Sequence, residues 1–527
     1  MCTQPRRLAV FAVATHVAKQ RNVVLGEEVG YHVGQDRVAN FNGKETGLTF
    51  ATAGILLEEL RVHGLDAVDK YKVVIIDECH ERSTESDLCL TIIKEFMVAY
   101  PRSKLRLVLM SATFDHARYT NFFRGVPGCE YVDTITLQTA ESINAFYTNV
   151  DTLYLEDVTR MLKFQFSGLD NYYTEYCTSM KRDPMKELYG SDGGKSLSQQ
   201  LLNLIFVLVA HLDQEEGSDS IILIFAPTYR HLEQIYKTIT DAGGSGNGTR
   251  NPFDVRVLHS SVDIEDCLNS MQGKDSAGNR TNTGKKTRRI FLASAIADSS
   301  ITIPGVTCVI DTCRSLEVRW DSERSKYNPK TTWASQSICD QRRGRTGRTC
   351  AGRVFRLVHQ SYYNNDFDKW EQPKLKQASC RDEILSLLSS SNKVMSDPQL
   401  LLEKCLDPPS STTVTKATQY LKDIGACEEE RTSRGRKVVP TDHGRLISTL
   451  PFSVEDASVI IHGAKNGLLH ESLALVAIKT GRPQPIVHEF GEGDYNQKNL
   501  RKFYNNVDVK NPSQYLSHIL GRIYFGV

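Results

Sequence analysis

Short β-branched runs alternate with helix-length segments through the first two thirds of the chain. The runs are YKVVIIDE (71–78), KLRLVLMSAT (104–113), DSIILIFAP (219–227), DVRVLHSS (254–261), RRIFLASA (288–295), GVTCVIDT (305–312) and GRVFRLV (352–358). Continuous apolar runs that end in polar residues are the pattern of parallel strands buried on both faces, with functional groups at the strands' carboxyl ends. The pattern predicts an α/β protein with two sheet lobes in tandem. The stretch from about Leu162 to Gln200 has no clear period and reads as a link or insertion, whereas 241–252 and 273–289 are Gly/Asn/Ser-rich loops too polar to bury. After Cys380 the apolar residues recur at i, i+3 and i+4, predicting a mostly helical last third. Within it, EEERTSRGRKVVPT (428–441) reads as a charged β-hairpin between helices, the pattern of a winged helix.

A chain of 527 residues is too long for one core and should form roughly three or four domains. Net charge is +1, so any affinity for nucleic acid must come from local arginine clusters. The 13 cysteines include no C-x-x-C pair, which argues for reduced thiols over a zinc framework and for residence in the nucleus or cytoplasm. The start imitates a secretory signal, with the apolar run Leu8 to Ala14 and Ala12-Val13-Ala14 as a cleavage-like site. Val10, Val13, Ala14 and Val17 nevertheless recur at helical spacing, and Thr15 and His16 break the run, so a folded helix and no export are expected. No apolar run approaches the ~20 residues that a membrane span needs.

Two motifs carry the chemistry. KVVIIDECHER (72–82) puts Asp77 and Glu78 at the mouth of an apolar strand, where an acidic pair is costly without a cation; such a pair suits a metal anchor and a base that orients water. A salt-bridged loop end is the plainer alternative. SQSICDQRRGRTGRT (335–349) spaces Arg342, Arg345 and Arg348 with small glycines, so that planar, permanently charged guanidinium groups can approach a phosphate.

Taken together, the chain resembles the DEAH-box (DExH) RNA helicases of superfamily two. TQPRR (3–7) matches the family's first RNA-contact motif, DECH (77–80) its metal and water motif, SAT (111–113) its coupling motif, and QRRGRTGR (341–348) its Q-R-A-G-R-A-G-R. ASAIADSSITIPGVTCVID (293–311) follows A-T-N-I-A-E-T-S-I-T-I, with weaker agreement at LHSS (258–261) and LLEKCLDPP (401–409). The plant members that also carry a CCCH zinc finger resemble it most.

The resemblance implies two RecA-like lobes (1–135 and 201–365) around a linker or insertion (136–200), then a winged helix (366–450) and a partial helical ratchet domain (451–527). It implies ATP or another NTP with Mg²⁺ as cofactors, RNA as a partner gripped without sequence specificity, 3′-to-5′ translocation, and room for a protein activator. Asp77 would hold Mg²⁺ through water with Glu78 beside it as general base, and His80 would link the nucleotide to the second lobe. Ser111 and Thr113 would couple hydrolysis to movement. Gln341, Arg345 and Arg348 would reach the γ-phosphate, the arginines as fingers, and Asp298 would join Asp77, Arg345 and Arg348 at the nucleotide. Arg6, Arg7, Thr52, Gly54, His259, Ser260 and Thr302 occupy the RNA-contact positions. The chain departs from the pattern at Cys79 (alanine in the family), Ala53 (aspartate), Ser294-Ala295 (Thr-Asn) and Arg314, which stands where relatives stack an aromatic ring on the purine.

The family's G-x-x-x-x-G-K-S/T phosphate loop precedes TQPRR, and these 527 residues hold no such motif. YGSDGGKS (189–196) has tyrosine where the first glycine belongs, and GNRTNTGKKT spaces Gly278 and Gly284 one residue too far apart. The expectation is therefore an excerpt of a helicase with weak ATPase activity, an exposed edge on its first sheet, and an end that falls within the ratchet domain. A non-enzymatic RNA-binding or scaffold fragment derived from a helicase is the alternative.

Overall fold

The computed structural model of the chain describes residues 1–34, 36–40, 46–64, 67, 70–111, 115–127, 129, 135, 150–165, 172–215, 220–243, 253–259, 288–295, 303, 305–347, 351–390, 395, 397–432 and 435–480. They fall into two compact units. The first is Met1–Leu137 with Val318–Asn328 and Glu371–Ser458; the second is Gln138–Glu317 with Pro329–Trp370 and Val459–Val527.

In the first unit β1 (Cys2–Gln4), β2 (Val29–Val33), β3 (Asp36–Val38), β4 (Leu48–Thr52), β5 (Val73–Ile76) and β6 (Arg106–Leu109) form one sheet in the order β3-β2-β4-β1-β5-β6. Only the β2–β3 pair is antiparallel. The central position of β1 explains why Cys2, Thr3 and Gln4 are all buried. The signal-like run folds as α1 (Arg7–Arg21), whose Val10, Ala14 and Ala18 recur every fourth residue and pack on Cys2, Val29, Tyr31 and Phe50. Helices α2 (Ala53–His63), α3 (Thr84–Ala99) and α4 (His116–Phe123) complete this part. Ser83 caps α3 by accepting the Ser86 N–H at 3.1 Å, with Glu85 and Asp87 favourably placed in its first turn.

The outer strands of this sheet differ from the expectation of burial on both faces. β5 pairs directly with β6, which lies at the sheet edge, and Val73, Arg106 and Val108 are exposed on one face while Val74 and Ile76 are buried on the other. Apolar residues alone do not report burial, because the covering layer is set by packing elsewhere in the fold.

The second unit begins with β7 (Val150–Leu153), α5 (Leu155–Gln165), α6 (Tyr172–Arg182), α7 (Pro184–Tyr189) and α8 (Gln199–Glu215). Then come β8 (Ile221–Phe225), α9 (Tyr229–Gly243), β9 (Phe253–Leu258), β10 (Arg288–Ala293), β11 (Val306–Asp311), the two-stranded β12 (Arg314–Asp321) and β13 (Lys326–Trp333), α10 (Gln336–Arg343) and β14 (Gly352–Arg356). The main sheet is wholly parallel, in the order β7-β14-β11-β8-β10-β9. All of β8 is buried, as a strand covered on both faces requires.

Here the reading of residues 136–200 as a linker needs correction, since Leu155, Val158, Leu162, Tyr176 and Met180 lie in the unit's main core with the β8 and β11 residues. Their helices are short and mostly polar outside, so the apolar period is diluted in the sequence.

The rest of the first unit is helical apart from one hairpin. Helices α11 (Arg381–Leu388) and α12 (Ser411–Asp423) precede the expected hairpin of β15 (Cys427–Thr432) and β16 (Gly435–Pro440), which pairs antiparallel from Cys427↔Pro440 to Thr432↔Gly435. Helix α13 (Asp442–Thr449) follows, α14 (Val454–Lys465) runs across Ser458, where the first unit ends in sequence, and α15 (Leu469–Thr480) is grouped with the second. Arg381 stacks on Trp320 at 4.5 Å and on Tyr420 at 3.5 Å and pairs with Glu455 at 2.6 Å, fastening the β12–β13 tip to α11 and α12. Among the described residues no helix is long and apolar enough to cross a membrane.

Candidate functional site

The parallel register of β1 and β5 carries Asp77 beside Gln4. The Asp77 N–H donates to Thr3 O at 3.2 Å, and Gln4 Nε2 donates to Asp77 Oδ2 at 2.6 Å. Oδ1 accepts the Glu78 N–H at 2.8 Å, so each carboxylate oxygen spends one acceptor site and keeps another. Glu78 sits at φ 51° and Arg82 at φ 48°, left-handed conformations that cost energy in residues other than glycine and bracket the short helical turn Cys79–Glu81. That turn is held from both sides: Cys79 N–H donates to Met110 O at 3.1 Å, and Tyr119 Oη to Cys79 O at 3.1 Å. Cys79 is buried, which pushes its thiol up to about 12 and leaves it a small apolar filler.

His80 closes the cluster. Its Nδ1 lies 2.9 Å from Ser111 Oγ and 3.4 Å from Glu78 Oε2. Its Nε2 is buried and has no hydrogen-bond partner among the described residues, and burial lowers its pKa, so the ring is neutral at neutral pH. Asp77, Glu78, His80 and Ser111 thus stand together at the carboxyl ends of β5 and β6.

The sequence reading missed what fixes this turn. Arg82 is buried and forks onto Asp87 at 2.9 Å, and it also reaches Asp407 Oδ2 at 2.5 Å. Asp407, in the L-D-P-P stretch, additionally pairs with Arg118 and with Lys376 at 3.5 Å. Nothing local in the sequence signals a contact between residues 82 and 407; only the weak family agreement at 401–409 pointed there. Arg6, the residue before α1, lies 3.7 Å from Glu81, tying the start of α1 to the same turn.

In the second unit, α10 is capped by Ser335, which accepts the Ile338 N–H at 3.2 Å. Arg342 corrects an expectation: it is 1% exposed, donates to Asp311 Oδ1 at 2.8 Å and to Arg314 O at 3.2 Å, and lies over the Phe225 ring. It is a core ion pair and does not approach a phosphate. Gln341 and Arg345 are half-buried at the end of α10, and Gln341 Nε2 is a buried donor with no partner among the described residues. The following turn is held by Thr346 Oγ1, which donates to Val306 O at 2.7 Å. Arg314 is likewise fully buried, 5.5 Å from the Trp333 ring and donating to Glu187 O, so it is not presented to a purine. Asp311, Cys313 and Cys339 bring donor atoms within 4.8 Å of one another, away from the expected metal residues, but the Asp311 carboxylate is engaged by Arg342 and by the Cys313 N–H.

Of the RNA-contact positions, Arg7 opens α1, Thr52 ends β4, and Gly54 is exposed in the first turn of α2 with open space beyond its Cα. His259 follows β9, edge-on to Tyr229 at 5.2 Å. Thr113, Ser260, Asp298, Thr302 and Arg348 lie outside the described residues. In the Gly193-Gly194-Lys195-Ser196 loop the amides of Lys195 and Ser196 point at Asp192 Oδ1, at 3.0 and 3.4 Å, and Gly194 O accepts from Thr331. A carboxylate already occupies the place a phosphate would take.

Comparison with known proteins bears on likeness and fold. The helicase conserved C-terminal domain family matches residues 199–350. The chain is 38% identical over 507 residues to the rice protein "Zinc finger CCCH domain-containing protein 4", covering 96% of this chain and 46% of that one. It is 37% identical over 493 residues to the Arabidopsis thaliana "DExH-box ATP-dependent RNA helicase DExH8", covering 93% and 44%. The chain spans about half the length of the curated relatives it matches. Among solved structures, the E. coli DExH-box NTPase HrpB superposes with a TM-score of 0.62 at 20% identity, covering 91% of this chain and 49% of that one, which establishes the shared fold. Residues 199–350 thus match a helicase conserved C-terminal domain, and over almost all of its length the chain is similar to proteins named as DExH-box helicases.

Proposed function

We propose that this chain is part of an ATP-dependent RNA helicase and supplies its metal-anchoring, water-orienting and arginine-bearing residues. The observation that carries the reading is the Asp77–Glu78–His80–Ser111 cluster, held at strand ends by Gln4 and by the Arg82–Asp407 network. Its donors suit Mg²⁺, since the Asp77 oxygens are hard and each retains an acceptor site. Mg²⁺ bound to Asp77 through water would neutralise phosphate charge. Glu78 orients and deprotonates the attacking water, and His80, held by Ser111, senses whether the site is filled. Within the second unit, Gln341, whose buried Nε2 has no partner among the described residues, and Arg345 and Arg348 are the groups suited to a phosphate. Arg6, Arg7, Thr52, Gly54 and His259, with Ser260 and Thr302, hold the RNA backbone, which positions a strand without reading its bases.

The Gly-Lys-Ser loop at 194–196 is no substitute for a phosphate loop, because Asp192 already takes its Lys195 and Ser196 amides. The test is fluorescence anisotropy of a single-stranded RNA with and without Mg²⁺ and ATP. A helicase core changes its RNA affinity when nucleotide is added. An RNA-binding scaffold holds RNA equally well either way, and that outcome would remove the helicase reading for this chain.

A further inference from the structure

Outside the cluster just described, the second unit contains a thiol, an imidazole and a carboxylate in series. Cys177 lies on α6, His359 between β14 and the following helix, and Glu156 on α5. Cys177 Sγ is 3.4 Å from His359 Nε2, and His359 Nδ1 is 3.2 Å from Glu156 Oε2. The same Nε2 is 2.9 Å from the Cys177 carbonyl oxygen. A carbonyl oxygen can only accept, so Nε2 carries a proton, and a carboxylate likewise calls for a proton on Nδ1. Both ring nitrogens are thus set up as donors, the condition of an imidazolium beside a thiolate. Glu156 also accepts the Gln360 N–H at 3.2 Å, which fixes the carboxylate that orients the ring.

Access separates this thiol from the rest. Among the described cysteines only Cys129 and Cys177 reach solvent, the others being buried. The two differ in surroundings. Burial works against ionisation of Cys177, but the His359 hydrogen bond and charge bring its thiol below the ordinary value, whereas burial raises that of Cys129. The Cys177 hydrogen bond in turn lifts His359 to about 9. Glu156 is the other titratable group facing the pair, and it opposes the thiolate while favouring the imidazolium.

We propose that Cys177 is an activated thiolate and a site of oxidative modification by hydroperoxides. Its sulfur attacks the terminal peroxide oxygen, an S–O bond forms as the O–O bond breaks, and the leaving hydroxide or alkoxide takes a proton from His359 and departs as water or an alcohol. The sulfur is oxidised by two electrons to a sulfenic acid and the peroxide is reduced. The added oxygen lies where α6 meets the segment after β14, so oxidation loosens that junction. None of this depends on nucleotide or RNA.

The test is peptide-resolved mass spectrometry of the folded chain, with iodoacetamide for thiolate reactivity and hydrogen peroxide plus dimedone for sulfenic acid. Cys177 should alkylate several-fold faster than Cys129 at neutral pH and should carry dimedone after peroxide. His359→Gln, with an unchanged circular dichroism spectrum, should bring the Cys177 rate down to that of Cys129. If that variant fails to fold, the wild-type rate against pH decides: a midpoint for Cys177 below that of Cys129 supports the proposal. Equal midpoints, equal neutral-pH rates, or a folded His359→Gln chain that keeps the fast rate would overturn it.

Discussion

At the scale of single residues, the buried carboxylate of Asp407 has the most measurable consequence. It neutralises Arg82 and Arg118, and Arg82 is itself buried against Asp87. Truncation leaves a buried cation partly uncompensated, so Asp407→Ala should lower unfolding free energy by about 3–5 kcal/mol, read from urea denaturation. A loss within the ordinary scatter of surface substitutions would show that Asp87 alone suffices. Ser111→Ala removes the 2.9 Å partner of His80 Nδ1 without changing charge. It should leave RNA affinity in the absence of nucleotide as it is and reduce the response of that affinity to ATP. Residues whose chemistry is unusual were legible in the sequence: Asp77, Glu78 and His80 stand out because acids and a histidine end an apolar run. Gln4 was not, because its bond to Asp77 exists only through the register of two parallel strands. Arg342 was misread for a related reason: a guanidinium looks the same in sequence whether it faces solvent or a buried Asp311.

At the scale of elements, the turns flanking the β15–β16 hairpin give a paired prediction. A Cβ on Gly444, in α13, would overlap the backbone carbonyl of Ala426, whereas one on Gly425 meets open space but must accept φ 69°. Gly444→Ala should therefore cost about 1–3 kcal/mol through forced backbone movement. Gly425→Ala should cost about 1–2 kcal/mol, the price of a left-handed L-residue. Thermal melts of the two variants check the costs, and either variant melting with the wild-type chain would contradict its account. The strands β8, β10 and β11 were visible as continuous apolar runs because they are covered on both faces. β7 is short and only half-buried, and β12 and β13 are rich in charge, so neither pattern rises above that of a loop. Helices α5 to α7 read as a linker in sequence because few of their residues, such as Tyr176 and Met180, are apolar and buried among many polar ones.

At the scale of the whole molecule, acid sensitivity should arise from buried histidine. His231 is fully buried, and burial, helped by the Arg314 charge, lowers it to about 4. Unfolded, it titrates near its ordinary value, so between about 6.5 and about 4 the unfolded chain binds the extra proton and stability falls as pH falls. Melting temperatures across that window should drop less steeply in His231→Leu than in the wild-type chain, and parallel curves would exclude His231 as a source. The likeness to helicases and the fold were readable from ordered motifs, because phosphate chemistry constrains residue type and spacing together. The division into compact units was less so, since the tip of the β12–β13 hairpin is grouped with residues from both ends of the first unit.

The most direct measurement is the anisotropy titration of single-stranded RNA with and without saturating Mg²⁺ and ATP, for the wild-type chain and for Arg345→Ala. The helicase account predicts that nucleotide shifts the wild-type affinity and that Arg345→Ala binds RNA normally but loses the shift. Identical wild-type curves with and without nucleotide would contradict it.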